Sequence, residues 1–120
     1  MHAIRLKAPW QIDRAGNTVR LIRRFGLPTN LGPEERVALV IERVAALARV
    51  DLNNQPLGEQ SPAEGQKSFP ITHLLQPRSE ICISLTLSAE QVAAIKGELL
   101  PPSTAASPEA LVGEVRLEIT

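Results

Sequence analysis

At 120 residues the chain has the length of one domain, and surface scaling for that size buries about two-thirds of the unfolded area, enough for a core without disulfides. Thirteen basic residues balance 13 acidic ones, so no global field favours DNA, RNA or an anionic membrane. Ten prolines and seven glycines oppose long helices, and no stretch approaches the ~20 apolar residues of a membrane span. The opening "MHAIRLKAPW" has no apolar signal-peptide region, so the chain reads as cytoplasmic. The single Cys82, between Ile81 and Ile83, can form no internal bridge and reads as a buried, inert thiol.

Period-two alternation recurs from end to end. "HAIRLKA" sets Ile4 and Leu6 on one face. "TVRLIRRF" places Val19, Leu21 and Phe25 on one side and Arg20 and Arg24 on the other. Arg23 falls on the Leu21 side, which suits a sandwich rim beside an acid. "LPTNLGPEE" (27–35) is a loop, with Glu34 and Glu35 facing solvent. "RVALVIERV" is apolar on both faces and reads as a central strand. "LARVDL" points Ala48, Val50 and Leu52 inward, and Asn53-Asn54 then makes a hairpin turn with a short return through Leu57-Gly58. "GEQSPAEGQKS" (58–68) reads as irregular. "EICISLTL" sets Ile81, Ile83, Leu85 and Leu87 against Cys82, Ser84 and Thr86. A short helix near 89–97 follows, with Ser88 as its cap and Val92, Ile95 and Leu99 at helical spacing. A proline- and serine-rich connector (101–108) leads to a last strand with Val115, Leu117 and Ile119 inward. These features predict a single all-β domain over 1–120, an antiparallel sandwich or barrel.

Several expected chemistries lack their residues. No Ser/His/Asp or Cys/His grouping suggests a nucleophilic triad, no glycine-rich loop could cradle a phosphate, and no Cys/His cluster has metal-ligand spacing. Catalytic residues, metals and cofactors are therefore not expected. Arg20 and Arg24 share a strand face and could grip an anion between them; the structural reading pairs them with cross-strand acids such as Glu42. Arg23 and Arg36 lie nearby. His73, in "SFPITHLLQP", could face a cleft, or could be a surface histidine in a turn; the only other histidine is His2.

The order of motifs resembles the N-terminal sugar-binding domain of glycoside hydrolase family 2, the family of β-galactosidases, β-glucuronidases and β-mannosidases. The matching segments are "RLIRRFGLP", "RVALVIERVAALARVDLNNQPLG" and "SFPITHLLQPRSEICISL", with "IRLKAPWQI" similar to that domain's opening and "GEVRLEI" to its last strand. The resemblance spans roughly residues 2–119 and leaves 88–110 unmatched. It implies a jelly-roll β-sandwich of the galactose-binding-domain-like type with about eight strands, working as a non-catalytic carbohydrate- or small-ligand-binding module. The family's two catalytic glutamates belong to a (β/α)₈ barrel, which alone needs ~250 residues. Some folds of this type also carry a structural Ca²⁺ held by backbone carbonyls, which would leave no side-chain signature.

The chain departs from the family where Asn54 replaces a turn glycine, Arg43 follows Glu42 where glycine is expected, and Pro70 precedes Ile71-Thr72 in place of aspartate. The loop "EQSPAEGQKS" holds no aromatic residue. Only Trp10, Phe25 and Phe69 are aromatic in the whole chain, and sugars are usually gripped by aromatic faces. Two functions follow as expectations. A ligand-binding module would use a sheet face or loop-end cleft with Arg20, Arg24, Asn53, Asn54 and His73, and Trp10 near the rim. The alternative is a structural or oligomerisation domain that has lost sugar recognition, with a second copy or another protein as partner.

Overall fold

The computed structural model describes residues 2–6, 10–26, 32–90 and 112–120. The alternating segments form strands because each carries one apolar face, and two sheets bury those faces against each other. Nine strands are present among the described residues: β1 (His2–Arg5), β2 (Gln11–Ala15), β3 (Thr18–Gly26), β4 (Val37–Ile41), β5 (Leu47–Leu52), β6 (Gln55–Gln60), β7 (Lys67–Pro70), β8 (Arg78–Thr86) and β9 (Val115–Ile119). One sheet has the order β1-β9-β4-β7 and the other β2-β3-β8-β5-β6, with every pairing antiparallel. The expected all-β jelly-roll sandwich is therefore the fold.

Registers show how the pattern becomes a core. In the five-stranded sheet Ile12, Leu21, Ile83 and Val50 lie opposite one another in one inward row, and Val19, Leu85 and Ala48 in the next. In the four-stranded sheet Ile4, Leu117, Leu39 and Phe69 form the facing row. Nearly all these side chains are buried, and each Val, Leu, Ile or Phe among them contributes about 1.5–3 kcal/mol when fully removed from water. β4 lies between β9 and β7, and Val40 on its outward face is as buried as Leu39 on its inward one, as a central strand requires. The Arg116 opposite Val40 spreads over that face, bonding Glu118 at 2.8 Å and Glu114 at 3.2 Å. These bonds, the Glu118 one first, raise the Arg116 pKa above its ordinary value.

Several expectations change. Residues 58–68 are not irregular throughout: β6 runs to Gln60, a 3-10 turn spans Pro62–Glu64, and β7 starts at Lys67. The Glu64 carboxylate accepts from the Ser61 N–H at 2.9 Å and pairs with Lys67 at 3.1 Å, and both, the backbone bond first, lower its pKa. Cys82 is half-buried rather than enclosed. It sits on the outward face of the five-stranded sheet, 3.8 Å from Ser84 Oγ, because β8 alternates and its inward places go to Ile81 and Ile83. The helix near 89–97 is described only at Ala89 and Glu90; its remainder and the connector 101–108 lie outside the described residues. No described helix is long and apolar enough to cross a membrane.

Candidate functional site

The last residues of β3 and the first of β8 bound the site. Register pairs Arg24 with Glu80, Phe25 with Ser79 and Gly26 with Arg78, so the chain ends one strand and begins the next at the same end of the sandwich. A surface cleft of about 560 Å³ opens there, lined by Arg23, Arg24, Phe25, Gly26, Pro77 and Arg78. That volume lies within the range of small-ligand sites. Half of the described lining residues are arginines and none of them is acidic. Arg24 donates its Nε to Glu80 at 2.9 Å, yet its side chain stays 73% exposed, which makes the pair a solvated one. Arg23 is half-buried and donates to the Arg24 carbonyl. Phe25 and Pro77 supply the apolar part of the wall.

The far wall is held by a buried polar knot. Ser79 is buried, and its Oγ accepts from the Gln76 N–H at 3.1 Å, shaping the turn that presents Pro77 and Arg78. Asn53 ties this turn to the β5–β6 hairpin. Its Nδ2 donates to the Leu74 carbonyl at 3.0 Å, its Oδ1 accepts from the Glu80 N–H at 2.9 Å, and its own N–H donates to the Glu80 carbonyl at 2.9 Å. Asn53 and Asn54 have φ of 51° and 67°, the double positive φ of a type I′ hairpin turn between Leu52 and Gln55.

The two asparagines therefore differ in what they give. Asn54 is exposed and supplies only its backbone conformation, so Asn54→Gly should be neutral or stabilising, whereas Asn54→Val should cost about 1–2 kcal/mol. Asn53→Gly keeps the φ but removes the side-chain bonds, and should lower stability by about 1–3 kcal/mol. Thermal melts of the three variants check this ordering; an Asn53→Gly melt equal to that of Asn54→Gly would contradict it.

The other expected site residues scatter. Arg24 lines the cleft, but Arg20 does not. Arg20 lies on the outward face in a row with Asp13, Ser84, Arg49 and Glu59, where bonding to the Cys82 side chain is the first cause of its raised pKa. Neither arginine relies on Glu42, which stands in the other sheet's connection beside Gly113. His73 is exposed in the 3-10 turn Thr72–Leu74. Trp10 is not at a rim. It is 2% exposed, with Nε1 donating to the Leu6 carbonyl at 3.3 Å, and its ring faces are occupied by the core. Phe69 is buried too and Phe25 is 9% exposed, so no complete aromatic face is open for stacking. Among the described residues no group of three His, Cys, Asp or Glu could hold a metal. Arg78 and Pro77 do not stand out in "QPRSE"; their only signal there is a proline turn feeding a strand that pairs with the arginine-rich end of β3.

No family model and no curated protein matches this chain. Solved structures do. The chain is similar to Bifidobacterium dentium β-glucuronidase with a TM-score of 0.72 and 15% identity over 99% of its own length and 30% of that enzyme's. It is similar to Dictyoglomus thermophilum β-D-mannosidase with a TM-score of 0.70 and 11% identity, covering 98% of this chain and 22% of that one. For Bacteroides uniformis β-glucuronidase the values are 0.70 and 14%, covering 97% and 17%. The chain thus has the fold of a segment of these glycosidases, as its resemblance to the family 2 sugar-binding domain implied, and spans less than a third of their length.

Proposed function

We propose that the chain is a non-catalytic carbohydrate- or small-ligand-binding module whose ligand occupies the cleft between Arg24, Phe25 and Arg78. The observation that carries this reading is the cleft itself: a small-ligand volume at the loop end of a glycosidase-type jelly roll, with polar forks on an apolar wall. Retaining or inverting hydrolysis needs two carboxyl groups flanking the bond, and none of the described residues that line this cleft carries one.

Titration of the isotopically labelled chain with a panel of neutral and acidic monosaccharides, followed by amide and guanidinium NMR shifts, tests the reading. Saturable shifts concentrated at Arg23–Gly26 and at Arg78 are expected. Saturation elsewhere, or none at millimolar sugar, would count against it. The competing reading, an interaction domain without sugar recognition, draws on one observation: all three aromatic side chains are buried. It predicts a concentration-dependent mass in light scattering and a silent cleft.

A further inference from the structure

We infer that the ligand of this cleft carries an oxyanion, a carboxylate or a sulfate ester, gripped by Arg24 and Arg78; the inference rests on the cleft being the ligand site. Neutral sugars are held largely by stacking on aromatic faces together with hydrogen bonds. Here Trp10 and Phe69 are buried in the core away from the cleft, and Phe25, 9% exposed, offers only part of its ring. What the cleft does offer is charge. Three guanidiniums line it, in a chain whose charges balance overall, and Glu80 engages Arg24 through Nε. That bond leaves the two Nη groups of Arg24 on a side chain that is 73% exposed. Arg78 is exposed and has no acidic partner among the described residues. Gly26, the register partner of Arg78 on β3, carries no side chain, so the strand position opposite Arg78 adds none to the cleft. Planar guanidinium forks match the paired oxygens of carboxylate and sulfate, and two forks in a cleft whose wall also holds Phe25 and Pro77 suit an anion with a small body rather than a free ion.

The test compares galactose, galacturonate and galactose 6-sulfate by calorimetry on the whole chain, with NMR shifts locating the site. The charged sugars should bind about tenfold or more tightly than galactose, as charge-assisted bonds imply. Their affinity should fall severalfold when NaCl rises from about 20 to 200 mM. Arg78→Ala should weaken them about tenfold while leaving the melting temperature unchanged, and Arg78→Lys should recover only part of the loss. The ratio of galacturonate to galactose 6-sulfate affinity names the oxyanion. If galactose binds the cleft as tightly as the charged sugars, the inference is wrong and the cleft reading survives. If no sugar shifts the cleft signals, the cleft reading itself fails and the inference with it. The charge series needs only the wild-type chain, so its outcome does not depend on the variants folding.

Discussion

Replacing Gln60 by glutamate is expected to destabilise the sandwich by about 3–5 kcal/mol at neutral pH, a drop of roughly 10–20 °C in melting temperature. Gln60 is fully buried on β6 and reaches across to the other sheet. Its Nε2 donates to the Ile41 carbonyl on β4 at 3.1 Å and to the Gly65 carbonyl, beyond the 3-10 turn, at 2.7 Å. Both partners are acceptors, which fixes the amide's orientation, and Oε1 meets no donor among the described residues. A carboxylate of the same shape would face two carbonyl oxygens on one side and no donor on the other.

The pH dependence follows with a definite sign. Burial without donors raises the introduced carboxyl group's folded pKa above its unfolded value of about 4.3. The gap between wild type and variant is therefore fully open above the raised folded pKa and closes as pH falls toward 4. There the protonated group can again donate one bond, leaving a residue of about 1 kcal/mol. Gln60→Met lacks the titration and should show a gap that does not change with pH. Urea melts of the three chains near pH 4.5 and 7.5 decide it. A glutamate variant with the same deficit at both values would mean that the side chain has found water, and that Gln60 is not the link between the sheets.

That link was not legible in the sequence, and the reason is physical. Gln60 sits in a polar stretch, "GEQSPAEGQKS", whose local pattern says loop; its burial is imposed by Ile41 and Gly65, one of them on the opposite sheet. The same stretch hid β6 and the start of β7, because Pro56, Gly58 and Pro70 look like strand breakers. They are tolerated here since β6 and β7 are edge strands, where one side of the backbone has no ladder to complete. Gly58, with φ of 151°, sits at the register shift opposite Val50. By contrast β5, β8 and β9 alternate cleanly, since each sets one face on the core and a more open one outside it, and period two is then sufficient. The Asn53-Asn54 turn was legible because positive φ restricts residue type locally. The cleft was only half so: Arg24 could be singled out on β3, but Arg78 joins it through a pairing between residues more than 50 positions apart.

Trp10 shows most directly how such a reading divides. A lone tryptophan near the start of a sugar-binding-type fold suits a stacking platform as well as a core side chain, and composition cannot choose. Its burial is decided by the β2–β3 hairpin, which turns at Gly16-Asn17 and lays Ile12 against Leu21. With the ring 2% exposed in the core, Trp10→Ala is expected to cost about 3–5 kcal/mol, and Trp10→Phe, which fills most of the volume but forfeits the bond to Leu6, about 1–2 kcal/mol. Denaturant melts measure both. Since Trp10 is the only tryptophan, its emission should be blue-shifted in the native chain and move to the red on unfolding. Saturating the arginine cleft with ligand should leave that emission in place. A platform residue would behave in the opposite way, its loss abolishing binding with little change in stability and its fluorescence responding to ligand. The two observables therefore separate a side chain that makes the fold from one that reads the ligand, and for Trp10 the geometry places the whole effect on stability.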